Sequence, residues 1–304
     1  MTDLSPDLEQ AAAQLEAHPD FRVLRRLVAR DQFESQPSGE IATAVVLDTE
    51  TTGRDPDTDK VIELALVKFE YEVGTGRVIR VKEVYSSLED PGFPIPAETI
   101  AIHGITDEMV AGHQLDDSQI AQFMTGVQWV IAHNASFDRP FTEARLPLFK
   151  EVAWACTHVQ IPWSDEGFSG SKLEYLAWSS GFFYDAHRSE IDCRALLELL
   201  RRPLPKSKQI ALQVLLTQAT EPVLRLWATG SPFDSKDALR LRGYRWDAAR
   251  KIWHRVVAKA DATAESVWLK EHVYKSRPAQ IEVEVIDAKL RFADRPGPRK
   301  NRVI

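Results

Sequence analysis

Apolar residues first recur at helical spacing, with Leu8, Ala12 and Leu15 on one face of a segment that Ser5 and Pro6 suit as a start. His18-Pro19-Asp20 interrupts it, and Phe21, Leu24, Leu27 and Val28 predict a second helix. Residues 1–40 therefore read as an N-terminal helical segment, closed by the polar run Glu-Ser-Gln-Pro-Ser-Gly-Glu at 34–40. The period then changes. Residues 43–47 (Thr-Ala-Val-Val-Leu) form a short apolar run suited to a buried strand, and residues 61–69 and 78–85 follow across a turn at Gly74-Thr75-Gly76. These three predict an antiparallel meander. Beyond it the pattern predicts a helix near 117–124, a strand at 127–132, a helix at about 137–146, a strand near 152–156, and helices near 172–179 and 190–200. Three antiparallel strands followed by alternating helix and strand give an α/β fold, a mixed sheet with helices on its faces. Arg202-Pro203-Leu204-Pro205-Lys206 reads as a linker that closes a domain at 41–202.

Residues 203–304 change character again. A helix near 209–216 precedes a cluster of Trp and Arg, and Gly243-Tyr244-Arg245-Trp246-Asp247 followed by Arg250-Lys251-Ile252-Trp253 predicts a β-hairpin with residues 247–250 at its tip. This predicts a small α+β module, with a basic tail after Arg295. It is similar to small modules with a Gly-x-Arg/Lys-Trp-Asp pattern attached to DNA-processing enzymes. Two readings stand side by side for it. Trp246 and Trp253 either form the core of a tiny domain, or join the Arg side chains in holding single-stranded nucleic acid.

Composition narrows the class. At 304 residues, 44% hydrophobic and 27% charged, the chain has enough apolar material for two domains. No apolar run approaches the roughly 20 residues of a membrane helix. The acidic start lacks the basic-then-apolar pattern of a secretory signal, so the cytoplasm is the expected location and no membrane partner is expected. Two cysteines, Cys156 and Cys193, are too few for a disulfide framework and are expected as buried thiols. The net charge of −7 hides a division: residues 1–200 hold 16 Lys and Arg against 34 Asp and Glu, and residues 201–304 hold 22 against 11. The acidic part repels phosphate unless cations intervene, and the basic part attracts it.

Three short runs carry candidate chemistry. Asp48 and Glu50 lie two apart at the end of the first predicted strand, so both carboxylates project from one face. Such a pair stays ionised only beside a cation, and all-oxygen ligands suit Mg²⁺ or Mn²⁺. Asp138 falls in the first turn of the helix after His133-Asn134-Ala135-Ser136-Phe137, where Asn134 or Ser136 is also a candidate cap. His187 stands just ahead of the last helix, with Asp192 inside it. Each has a bland reading as a solvated turn, a capped helix or a surface terminus. Their order, each at a strand tip or helix start, favours one site.

In that order the runs resemble the DEDDh (DnaQ-like) 3′–5′ exonucleases of the RNase H-like fold. Asp-Thr-Glu-Thr-Thr-Gly at 48–53 matches the first motif of that family, residues 133–138 the second, and His187 with Asp192 the third. Ile102-His103-Gly104-Ile105-Thr106 matches a segment that in the family lines the site of the 3′-terminal nucleotide. The resemblance covers roughly residues 41–202. It implies hydrolysis of phosphodiester bonds from 3′ ends with two divalent ions, releasing nucleoside 5′-monophosphates. Asp48 would bridge both ions, Glu50 and Asp192 would complete one site and Asp138 the other, and His187 would be the general base. Thr51, Thr52, Gly53, Ile102, His103 and Phe137 are the expected substrate contacts, Phe137 having a second reading as a core residue. One departure is Ser189, where the family commonly has a small apolar residue; helix packing is expected to change little. Single-stranded DNA or an unpaired terminus is the expected substrate, with a polymerase or repair factor as partner. An RNA 3′-end trimmer is the alternative within the class, since only treatment of the 2′-hydroxyl separates the two. A non-catalytic scaffold bringing such a factor to nucleic acid is the alternative outside it.

Overall fold

The computed structural model describes residues 6–34 and 37–304; Ser5, the expected helix start, and Ser35 and Gln36 of the polar run lie outside the described residues. Helix α1 (Pro6–Glu16) forms as expected, but Leu8 and Leu15 on its apolar face stay exposed. The second expected helix does not form. The chain runs extended there, and strand β1 (Arg25–Arg26) pairs in parallel with Phe182–Phe183. The reason lies in the partners. The Arg22 guanidinium donates to the carbonyls of Trp178 and Ser179, Arg26 pairs with Asp185 at 2.7 Å, and the Leu27 amide donates to the Phe183 carbonyl. An extended chain can pair its Arg25 and Leu27 amides with the carbonyls of Gly181 and Phe183, whereas a helix would use those amides within itself.

The meander follows the apolar pattern. Strands β2 (Ile41–Thr51), β3 (Val61–Glu72) and β4 (Val78–Leu88) are antiparallel neighbours. Helices α2 (Ala97–His103), α3 (Asp107–Val110) and α4 (Asp117–Phe123) lead to β5 (Trp129–Ala132), which lies parallel to β2. Helix α5 (Ala135–Arg145) then leads to β6 (Ala153–Cys156), parallel to β5, and the sheet order is β4-β3-β2-β5-β6. This is the mixed sheet expected from the sequence. Strand β2 is buried on both faces, which explains its unbroken apolar run. Ala44 and Val46 pack towards Leu196 and Leu200, and Val45 and Leu47 towards Ile120, Phe123 and Trp154.

After β6 come α6 (Thr157–Gln160), α7 (Leu173–Ser179), β7 (Phe182–Phe183), α8 (Ser189–Leu200) and α9 (Ala211–Thr220). Helix α9 buries Leu212, Leu215 and Ala219 in the same core as α8. The change of core therefore comes after α9, near Glu221, and not at Arg202. Between the two helices Leu204 is buried and Arg202 lies 4.8 Å above the Phe182 ring, while residues 205–209 are exposed. Cys156 and Cys193 are buried free thiols, as expected.

The C-terminal module is a five-stranded antiparallel sheet with helices on one face. Its elements are β8 (Val223–Trp227), α10 (Lys236–Leu241), β9 (Arg245–Asp247), β10 (Ile252–Ala258), α11 (Ala262–Trp268), β11 (Gln280–Ile286) and β12 (Arg299–Val303), in the sheet order β12-β11-β8-β10-β9. The expected hairpin is β9–β10, with Trp246 directly across from Trp253. Leu226, Leu239, Tyr244, Leu269 and Val283 make a core of their own. The basic tail is strand β12, whose charged side chains suit a sheet edge. No helix among the described residues is long and apolar enough to cross a membrane.

Residues 287–295 join this module to the first sheet. The guanidinium of Arg139, on α5, is fully buried and donates to the carbonyls of Ala288 (3.3 Å), Lys289 (2.5 Å) and Arg291 (2.6 Å), with Glu143 at 2.6 Å as its counter-ion. Glu143 also accepts from Arg295, and the Trp154 amide donates to the Ala288 carbonyl at 2.9 Å. Truncating a buried, fully bonded cation leaves its acceptors unpaired. Arg139→Ala is expected to cost about 3 kcal/mol or more in denaturant unfolding; a change below about 0.5 kcal/mol would show that the junction adds no stability.

Candidate active site

The tip of β2 gathers the acidic residues. Asp48 and Glu50 leave the same face of the strand, and α8 crosses that face, so that Asp48, Glu50 and Asp192 offer oxygens that all lie within 4.8 Å of one another. The strand pairing fixes the first two: Asp48 lies across from Ala65 and Glu50 from Glu63, with an irregularity in register immediately after Glu50. Bulges of this kind end regular pairing and re-aim side chains.

These carboxylates hold their protons far more tightly than usual. Asp48 keeps some exposed surface, yet enough protein surrounds it that loss of water pushes its pKa well up, with Asp138, Asp192 and Glu50 adding repulsion. Glu50 is raised to about 8, by burial first and then by Asp192, Glu63 and Asp138, with Arg188 opposing. Asp192 is also raised by burial, against hydrogen bonds from the Arg188 backbone and Tyr184. Arg188, the cation that acts on Glu50, is already engaged, since it pairs with Glu63 at 2.8 Å. A cluster of hard oxygen donors with uncompensated repulsion suits a divalent cation such as Mg²⁺ or Mn²⁺.

Asp138 stands apart from this triplet. It is buried in the first turn of α5, where its Oδ1 accepts from the Thr49 hydroxyl at 3.0 Å, and burial raises its pKa to about 7. Thr49 points away from the face of Asp48 and Glu50, so one strand tip presents carboxylates on one side and grips α5 on the other. The capping alternative fails for Asn134, whose side chain makes no cap bond; it accepts from Ser136 instead, at 2.9 Å.

His187 lies in the expected place, just ahead of α8, exposed and in the left-handed region at φ 67°. A non-glycine residue held there costs of order 1–3 kcal/mol, and such strain gathers at functional sites. No hydrogen bond fixes its ring among the described residues. What fixes the helix start is Glu63, a residue the sequence reading passed over. Buried in β3, it accepts from the Ser189 amide at 3.0 Å and from Arg188 at 2.8 Å. Asp192 in turn accepts from the Arg188 amide and from the Tyr184 hydroxyl, both at 3.1 Å. A lone acid inside the apolar run at 61–69 was the available signal for Glu63. Ser189 is fully buried, and its hydroxyl has no hydrogen-bond partner among the described residues.

The expected substrate contacts divide. Ile102 is exposed, while His103 is buried, its Nδ1 accepting from the Ile105 amide at 3.0 Å and its Nε2 left without a partner. Thr51 and Thr52 are buried and their hydroxyls turn inward, to the Gly53 carbonyl at 2.6 Å and to Asp59 at 3.1 Å. A Cβ on Gly53 would collide with the Asp59 carboxylate, so a larger residue there would displace the Asp59 side chain that bonds Thr52. Phe137 is half-buried against Phe141, with ring centroids 5.1 Å apart.

Residues 45–200 match the sequence profile of a family described as exonuclease. DNA polymerase III subunit epsilon of Treponema pallidum is 31% identical over 161 residues, 50% of this chain and 72% of that protein. DNA polymerase III PolC-type of Listeria innocua is 42% identical over 104 residues, 34% of this chain but only 7% of that protein. A solved structure of exonuclease I, at 14% identity, superimposes with a TM-score of 0.51 over 76% of this chain and 68% of that one, which establishes the likeness of fold.

Two outcomes follow from the geometry. Glu50 retains a proton up to about pH 8 in the metal-free fold, while in the unfolded chain it ionises near 4.5, so metal-free stability falls as pH rises between those values. A divalent ion displaces that proton, so Mg²⁺ or Mn²⁺ should raise the melting temperature more at pH 8 than at pH 6. An equal shift at both would count against the cluster as the ion's site. Glu63→Ala should speed amide exchange at residues 189–192 while that of the β5 core stays slow; unchanged exchange would remove Glu63 as the anchor of α8.

Proposed function

The chain belongs to the exonuclease family matched over residues 45–200, and from that footing we propose that it is a metal-dependent 3′–5′ exonuclease acting on single-stranded DNA or unpaired 3′ termini. The observation that carries this reading is the meeting of Asp48, Glu50 and Asp192 within 4.8 Å, beside an exposed histidine. Divalent ions held there, two in the reading we favour, would offset the charge of the phosphodiester and of its leaving oxygen.

The residues of the chain divide the remaining work. Asp48, Glu50 and Asp192 supply the shared ligands, and Asp138, carried on α5 and steadied by Thr49, completes the set from the opposite side. His187, exposed beside the cluster, takes the proton of the attacking water. That water adds to phosphorus, the bond from phosphorus to the 3′-oxygen of the preceding nucleotide breaks, and the departing oxygen gains a proton from solvent. The products are a nucleoside 5′-monophosphate and a strand shorter by one. We assign Ile102 and Phe137 as the surfaces on which the terminal nucleotide packs, with backbone at Thr51, Thr52 and Gly53 and the ring of His103 nearby. A polymerase or repair partner is proposed on the strength of the polymerase III relatives, of which the chain spans only a small part in the PolC-type case.

The test is release of mononucleotides from the 3′ end of a 5′-labelled oligodeoxynucleotide, run beside an oligoribonucleotide and a blunt duplex. EDTA and Asp48→Ala should each abolish release, and Mg²⁺ or Mn²⁺ should restore it after EDTA. His187→Ala should lower kcat by roughly 10²–10⁴ with oligonucleotide affinity retained. Full activity in Asp48→Ala, or internal cleavage in place of stepwise shortening, would overturn the assignment.

A further inference from the structure

The C-terminal module carries a groove that the catalytic chemistry does not use. One wall is the β9–β10 hairpin, where Trp246 and Trp253 sit side by side with ring centroids 5.5 Å apart. The other is the loop after β8, which carries Phe233, and the cavity between them measures about 660 Å³. Trp246 is 49% exposed and Phe233 77%, large values for aromatic rings that burial would stabilise. The walls are firmly tied. The Ala228 amide donates to the Trp253 carbonyl at 2.8 Å, and the Tyr274 hydroxyl donates to the Thr229 carbonyl at 2.7 Å. Open rings on a fixed frame are therefore a built surface and not a loosely packed one.

Cations line the same groove. Lys236 stands 4.3 Å above the Phe233 ring, Arg250 lies 4.8 Å above the buried Trp227 ring, and Lys251 is exposed at the hairpin tip. Among the described residues neither Lys236 nor Lys251 has a carboxylate within 4.0 Å, and Arg250 has only Asp247 at 3.8 Å. From 228 to 253 the chain holds six Lys or Arg against three Asp, whereas residues 1–200 carry a net −18.

We propose that this groove is a second nucleic-acid site, which holds a single-stranded segment of the substrate by stacking bases on Trp246 and Phe233 and pairing phosphates with Lys236, Arg250 and Lys251. Alternating flat rings and cations match the alternating bases and phosphates of a single strand. An acidic peptide would match the cations and leave the rings uncovered. A duplex, whose bases are already stacked on one another, could use only the cations. The proposal deepens the exonuclease reading, since it names how an acidic catalytic unit retains a polyanion.

The test uses the full chain in EDTA, so that no hydrolysis occurs, and measures anisotropy of a labelled oligo(dT) and of a duplex of equal length. Trp246→Ala should weaken oligo(dT) binding about tenfold. Lys236→Gln with Lys251→Gln, both at exposed positions, should weaken it and flatten the slope of log affinity against log salt by about 1.4. Duplex binding should stay unchanged in Trp246→Ala. With Mg²⁺ added, KM for a long oligonucleotide should rise in these variants while kcat holds. Unchanged oligo(dT) affinity in the double lysine variant, or an equal loss on duplex in Trp246→Ala, would overturn the proposal. Absence of hydrolysis in every protein would instead refute the exonuclease reading and leave the binding result standing.

Discussion

Like charge forced together is the constraint from which the rest of the molecule can be understood. Asp48, Glu50 and Asp192 meet from a strand and a helix far apart in sequence; burial raises the pKa of each, and repulsion from neighbouring carboxylates adds to it at Asp48 and Glu50. Left alone, such groups would splay. Around them lies a set of contacts that prevents it. Glu63 holds the start of α8 through Arg188 and the Ser189 amide, Tyr184 and the Arg188 amide hold Asp192, and the ladder to β3 fixes Asp48 and Glu50. The site is thus organised before any ion arrives, with the electrostatic cost carried by the fold.

The fourth acid is organised differently. Asp138 and Arg139 are neighbours on α5, and they face opposite tasks. Asp138 turns to Thr49 on the central strand, and Arg139 turns to the carbonyls of residues 288, 289 and 291. The helix that supplies this acid is therefore clamped between the sheet and the C-terminal chain. This gives the module a mechanical part in the site, beyond any part it has in holding substrate. It also explains why a buried arginine is tolerated: its donors are paired with backbone acceptors and a carboxylate, which offsets loss of water.

Charge is distributed on a larger scale by the same logic. Residues 1–200 carry a net −18, and many of the cations in this part are engaged in local pairs such as Arg145 with Glu89 and Arg194 with Glu190. On the C-terminal module, Lys236 and Lys251 have no carboxylate within 4.0 Å among the described residues. Separating the two keeps the lysine and arginine of the C-terminal part from neutralising the clustered acids, in a chain whose net charge is −7.

Much of this was written in the sequence. The unbroken apolar run before Asp48, the spacing of Asp48 and Glu50, and the order in which Asp138, His187 and Asp192 follow specified the mixed sheet and the elements carrying the site, because strand period and helix starts are local properties. The Trp246–Trp253 pairing across a hairpin was legible for the same reason. Tertiary structure alone decided the rest. Residues 21–28 have helical spacing yet lie extended, because their arginines and amides find partners on α7 and β7 that no local pattern announces. Helix α9, beyond an apparent linker, belongs to the first core because its apolar face fits there. Glu63 and Arg139 look like ordinary charges in the sequence, and only the chain segments brought to them, 126 and about 150 residues away, make one an anchor and the other a clamp. Long-range pairing of buried charge leaves no periodic trace, which is why the fold had to supply it.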